Sequence, residues 1–201
     1  MNVTEDNKMN NKYYLMILVL VVSVLHGCGS AVMGTIPSYN ASSVNVTDNR
    51  KAADKVRYRD SVLSAIVFFG DDSLQPNLKD YFVGKVAGAK PAGLSKLNIV
   101  INKFRMADYF PKRMSAGVAD WVYMPNTDTK MVARNELPTD VDMIICYFDG
   151  VVNGEKITAK SVFPYTLNGG SAMIYSDANF VKAINGSIDH VVTSIYKQLE
   201  Q

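Results

Sequence analysis

Few side chains in this 201-residue chain are suited to covalent or acid–base chemistry: Cys28 and Cys146, His26 and His190, and the adjacent carboxylates Asp71 and Asp72. A catalytic thiol needs a base beside it and a zinc site needs several Cys or His ligands, so a chain this poor in both points away from either. Cys146 lies in the apolar run Met143-Ile144-Ile145-Cys146-Tyr147-Phe148, where a thiol is buried, protonated and inert. His190 falls two positions past Ile188, off the apolar stripe of a C-terminal helix, which places it outward with no partner for a catalytic pair. Asp71-Asp72 stands between a strand and a helix start, where carboxylates accept backbone N–H bonds and complement the helix dipole. A calcium or glycosidase-type role there would need a second carboxylate motif opposite, and none can be placed. Neither G-x-x-x-x-G-K-[ST] nor G-x-G-x-x-G occurs, so phosphate-cradling loops are not expected. The reading is of a non-enzymatic protein with no metal and no cofactor.

Cys28 has a different setting. It follows the apolar run Tyr13–Leu25, whose 13 residues would cover about 20 Å as a helix, short of the ~30 Å of a bilayer core. Such a run, with Lys8 and Lys12 before it and the small residue Gly27 after it, fits an export signal better than a membrane span. Glu5 and Asp6 are unusual ahead of such a run, and a start at Met9 would give the compact basic segment Met-Asn-Asn-Lys-Tyr-Tyr.

The four residues Leu25-His26-Gly27-Cys28 resemble a bacterial lipobox. That resemblance implies that Leu25 and Gly27 are read by a lipoprotein signal peptidase, that residues 1–27 are removed, and that the Cys28 thiol and its new amine are acylated. His26 departs from the small residue commoner at its position. One acyl chain binds a membrane only marginally, so multiple acylation at Cys28 would supply a stable anchor. Gly29, where an Asp would signal inner-membrane retention in enteric bacteria, is compatible with transfer to an outer membrane, the body facing the periplasm.

Residues 28–43, rich in Gly, Ser, Ala and Asn, read as a lipidated flexible tether, and residues 44–201 as one α+β periplasmic domain. Val44–Thr47 alternates as a short strand, and Asp48-Asn49-Arg50 reads as a closing turn or a partner contact. Val62–Phe69 is apolar throughout, so periodicity does not separate strand from buried helix; its β-branched and aromatic second half favours strand. Pro76 falls where a first helical turn tolerates it, ahead of a helix carrying Leu78, Phe82, Val86 and Ala89 on one face and ending near Gly88. Leu97, Ile99 and Ile101 alternate as a strand continuing through Phe104 and Met106, and Ala119–Met124 reads as another. Val141–Val152 and Glu155–Phe163 flank Asn153-Gly154, the signature of a type I′ hairpin, with Asp149-Gly150 a competing turn or bulge. Ala172–Tyr175 reads as a last short strand. Ser176 or Asp177 caps a final helix with Phe180, Ile184, Ile188, Val191, Ile195 and Leu199 on one stripe. The expected fold is a largely antiparallel sheet with two helices packed on one face.

The Val-x-Val-x-Asp-x-Arg run at Val44–Arg50, the strand–Pro–helix unit ending near Gly88 and the closing strand–helix order are similar to small Gram-negative envelope lipoproteins of the YajG and transport-auxiliary type. The resemblance implies a periplasmic domain that binds or supports an envelope assembly without catalysing. Trp121, Tyr123, Tyr109 and Phe110 are the aromatic residues suited to a partner patch. The net charge of +2 carries no basic stripe for nucleic acid. Two alternatives stay open: a carrier of a lipid or other apolar ligand, which needs a cavity, and a carboxylate-dependent envelope hydrolase, which needs a polar cleft beside Asp71 or Asp72.

Overall fold

A computed structural model describes residues 31–59, 66–110, 121–123, 130–133, 140–168 and 176–201. Leu25, Gly27 and Cys28 lie outside these residues, as do the expected strand Ala172–Tyr175 and the first part of the Val62–Phe69 run. Residues 31–201 form one compact unit of mixed helix and sheet.

The longest strand is the spine. In chain order the strands are β1 (Ala31–Val32), β2 (Val44–Asp48), β3 (Tyr58–Arg59), β4 (Ile66–Phe68), β5 (Leu74–Gln75), β6 (Leu97–Tyr109), β7 (Trp121–Tyr123), β8 (Lys130–Ala133), β9 (Asp142–Val152) and β10 (Glu155–Tyr165). The helices are α1 (Leu78–Gly88) and α2 (Ala178–Leu199). Among the described residues the main sheet has six strands, in the order β10-β9-β6-β4-β3, with β2 also paired to β6. The first half of β6 takes β2 in parallel, Val44 opposite Leu97 to Asp48 opposite Ile101. Its second half takes β4 antiparallel, Ile66 opposite Tyr109 to Phe68 opposite Ala107. All other pairings in this sheet are antiparallel, as the alternating runs predict.

β9 and β10 form the expected hairpin. Asn153 (φ 51°) and Gly154 (φ 93°) supply the two positive φ angles of its type I′ turn. Asn153 also locks the turn to β6, its amide donating to Asn98 O (2.9 Å) and its Oδ1 accepting from Asn98 N (2.8 Å). Gly150 is no turn; it lies opposite the β6 bulge at Asn102, where a Cβ would come within 2.1 Å of Val100 O.

Because side chains alternate across a strand, Leu97, Ile99 and Ile101 share one face of β6, and the extra residue at Asn102 hands that face to Phe104 and Met106. With Ile144, Cys146, Phe148 and Val152 of β9 they meet both helices in one core. Phe82 of α1 stacks on Phe104 at 4.1 Å between ring centroids and tilts against Phe148 at 5.3 Å. α2 presents Phe180, Ile184, Ile188, Val191 and Ile195, all buried, with Leu199 half-buried, and His190 exposed beside Phe163. Asp177 caps it, accepting from the amides of Asn179 (2.9 Å) and Phe180 (3.3 Å). A smaller cluster on the opposite face joins Ile66, Phe68, Ala107, Tyr109, Met143 and Ile145.

Two expectations are corrected. Pro76 precedes the helix altogether: Asn77 is the N-cap of α1, its Oδ1 accepting from Lys79 and Asp80, and Ala89 is exposed past the end of the helix. The segment 28–43 is not a free tether over its described part, residues 31–43. β1 pairs in parallel with β5, Met33 is buried, and Ile36 and Pro37 lie over Gly84 and Gly88 of α1. Composition reads as linker because small polar residues dominate it and cannot form a core by themselves; the few apolar ones, Met33, Ile36 and Pro37, are what dock here.

Candidate functional site

Asp48 and Arg50, which the sequence assigns to one turn, and Asp71, which it assigns to a segment before a helix, meet at the end of β2. Asn49 N donates to Ile101 O (2.9 Å), which fixes the chain as it leaves the strand beside the β6 bulge and turns Arg50 inward. The Arg50 side chain is fully buried, and its guanidinium is shared by two carboxylates. Nε and Nη2 donate to Asp48 Oδ1 (2.9 Å) and Oδ2 (3.0 Å), while Nη1 and Nη2 donate to Asp71 Oδ1 and Oδ2 (2.9 Å each). The Arg50 amide also donates to Asp48 Oδ1 (3.1 Å), and Lys55 Nζ adds a further contact to Asp48 Oδ2 at 3.1 Å. This is paired, bidentate carboxylate recognition of the kind arginine geometry favours. Burial alone would raise the Asp48 carboxyl, but the hydrogen bonds and charge of Arg50, with Lys55, hold it well below the usual carboxylate range. Burial would likewise lower the Arg50 guanidinium, and Asp48 and Asp71 together keep it above its ordinary value.

Asp71 therefore sits in a short 3-10 turn, Asp71–Ser73, ahead of β5, rather than at the start of α1. The turn follows Gly70, where a Cβ would fall 2.4 Å from Arg57 N, so only glycine lets the two loops touch. The sequence reading of Asp71 as a helix-dipole partner is corrected on both counts: its neighbour is a different turn, and its charge faces a guanidinium.

A second buried arginine stands nearby on β6. Arg105 has no exposed side-chain surface; its Nη1 donates to Asp54 O (2.8 Å) and Val56 O (3.2 Å), and its Cζ lies 5.2 Å from the Phe68 ring centroid. Its Nε is 3.8 Å from Asp54 Oδ1, too long for a hydrogen bond, and neither that oxygen nor Arg105 Nε and Nη2 has a hydrogen-bond partner among the described residues. Burial dominates here: it raises the Asp54 carboxyl, which Arg105 offsets only in part, and lowers the Arg105 guanidinium. Nothing in the sequence flagged Arg105; its one signal is an arginine standing between Phe104 and Met106 in a strand.

A further candidate among the described residues is a cleft of about 340 Å³ at the far end of α2. Pro91 and Leu94, Tyr196 and Leu199 line it, and Glu155 and Glu200 add carboxylates. Tyr196 Oη donates to Val86 O (2.5 Å), tying the α2 end to α1, and burial pushes its phenol up to about 12. The cleft lies at the low end of the size range of small-ligand sites.

The groups proposed for other roles are dispersed. Cys146 is fully buried, which pushes its thiol far above the ordinary range. Of the aromatic residues read as a partner patch, Tyr109 is fully buried against Ile66, Phe68 and Met143, so it faces the core and not a partner. Phe110 is half-buried, and Trp121 and Tyr123 lie on β7, which pairs antiparallel with β8. Among the described residues no three His, Cys, Asp or Glu are placed to hold a metal ion, and no helix is long and apolar enough to cross a membrane. Comparison with protein-family models, with curated proteins and with solved structures finds no match.

Proposed function

We propose that this protein is an exported lipoprotein, held to a membrane through an acylated Cys28, whose α+β body acts as a non-enzymatic accessory or interaction subunit of an envelope assembly. The observation that carries the anchor is the sequence Leu25-His26-Gly27-Cys28 at the end of an apolar run too short to span a bilayer. By the same resemblance, Gly29 is compatible with an outer-membrane position facing the periplasm. The non-catalytic half rests on how the reactive groups are held: both oxygens of Asp71 are bound by Arg50, and the Cys146 thiol is buried. These are the arrangements of a body that uses charge to fix its own loops.

Intact mass and fractionation, run beside a Cys28→Ala variant, test the anchor. The expected native species begins at an acylated Cys28 and is recovered with membranes, while the variant is not. A native chain that retains residues 1–27 and carries no acyl mass would sink the reading. The cleft lined by Leu94, Tyr196 and Leu199 favours one second reading, a carrier of a small apolar ligand. Saturable chemical-shift changes confined to those residues, on titration with a short-chain fatty alcohol, would support it; changes scattered over the surface would not.

A further inference from the structure

The strap Ala31–Pro37 converts the expected tether into part of the folded body. β1 pairs with β5, Ala31 opposite Leu74 and Val32 opposite Gln75, and the ladder continues where Met33 N donates to Gln75 O (2.9 Å). Tyr81 Oη of α1 donates to Met33 O (3.3 Å) and approaches Asn185 Oδ1 of α2 (2.5 Å), so one phenol joins strap and both helices. Further on, the strap lies where side chains on α1 would otherwise be. A Cβ on Gly84 would stand 2.2 Å from Ile36 Cγ2, and one on Gly88 2.9 Å from Pro37 Cβ. The strap thus starts at the N-terminal end of α1, follows it to Gly88, and delivers the chain to Val44, paired with Leu97.

Only Gly29 and Ser30 separate Cys28 from Ala31. Three Cα–Cα steps of about 3.8 Å allow at most about 11 Å between the anchoring residue and the first paired residue of the body. A free tether of the length read from composition would have an r.m.s. span of roughly 20 Å and could extend much further. We propose that the docked strap Ala31–Pro37 seats the folded body directly on the lipid surface, with the end that carries β5 and the first turn of α1 nearest the bilayer. This rests on Cys28 being acylated. The opposite end, with the hairpin turn, the α2 C-terminus and the cleft, then points away from the membrane, since α1 and α2 run side by side in the same direction, Tyr81 meeting Asn185 and Lys85 meeting Asp189.

The test uses the full acylated protein in phosphatidylethanolamine–phosphatidylglycerol liposomes doped with a headgroup-bound quencher. A fluorophore is placed at Gln75→Cys near β5, or at Glu200→Cys at the opposite end; the buried Cys146 does not label. Quenching at Gln75→Cys is expected to exceed that at Glu200→Cys several-fold. Two variants release the strap from opposite sides: Gly84→Leu fills its track on α1, and Ile36→Ser with Pro37→Ser removes the side chains that occupy the track. In both, the ratio should fall toward one while the protein stays in the liposome fraction. Equal quenching at the two sites in acylated, bound wild-type protein, or a ratio unchanged by both variants, overturns the seating alone. Protein without acyl mass that leaves the liposomes overturns the anchor and the seating with it.

Discussion

Arg50 and Arg105 are both arginines with fully buried side chains, yet they are held in opposite ways. Arg50 answers two carboxylates through short hydrogen bonds and stays above its ordinary pKa. Arg105 answers mainly main-chain carbonyls, keeps Asp54 at 3.8 Å, and is pushed below its ordinary pKa by burial. The first arrangement joins three loops through charge, and the second uses a cation as a carbonyl clamp on the 54–56 segment with an aromatic ring beneath it. Removing one partner of a buried ion pair is costly because the other charge is left behind, whereas replacing the whole pair is often neutral.

That contrast can be broken from either side. Arg50→Met should have the largest effect, about 3–5 kcal/mol by urea unfolding, because Asp48 and Asp71 would then face one another without their shared cation. A loss under 1 kcal/mol would mean that the network is not what fixes these loops. Arg105→Met should cost less, about 2–4 kcal/mol, and Arg105→Met with Asp54→Asn should recover much of it, since an apolar side chain and a neutral amide leave no orphaned charge. If the double variant is no better than the single one, the carbonyl contacts rather than the charges carry the clamp.

Asp48→Asn sharpens the comparison through pH. A carboxyl held below its ordinary value in the folded chain stabilises it fully above the unfolded pKa of about 3.9, and that contribution is lost as pH falls further. Asp54, held above its ordinary value, works in the opposite sense: it favours the folded chain most at low pH and less as pH rises through about 4 toward its raised value. The Asp48→Asn variant should therefore lose about 1.5–3 kcal/mol at pH 7, with the gap from wild type closing as thermal melts move below pH 4. A gap independent of pH would place the effect in packing and not in charge. The smallest effect is expected for Tyr196→Phe, about 1 kcal/mol from loss of the bond to Val86 O, read by thermal melting.

What the sequence made legible follows from how far each signal reaches. The β9–β10 hairpin and α2 were readable to within two residues because turn chemistry, capping and apolar period are local. The β2 strand was readable, but its parallel pairing with β6 was not, since nothing in Val44–Thr47 says which strand lies beside it. Arg50 read as a turn because its second carboxylate lies 21 residues away. The strap read as a linker because the Gly84 and Gly88 track that accepts it is on a helix some fifty residues later, and glycines in a helix look like weak positions until something is found lying on them. Tyr109 was misplaced because an aromatic residue suits a partner surface and a core equally well.

The strap also sets how the molecule answers force. A pull on the chain ahead of Ala31 loads first the two-residue β1–β5 ladder and then lifts Ile36 and Pro37 from α1. Paying out residues 31–43 lengthens the chain by at most about 45 Å before the load arrives at β2. There five parallel pairs with β6, against two in the β1–β5 ladder, hold the chain. Optical-tweezer extension traces should accordingly show a small early step, absent in the strap-released variants, ahead of the main rupture. A body seated close to its support would in this way carry its own slack, released only under load.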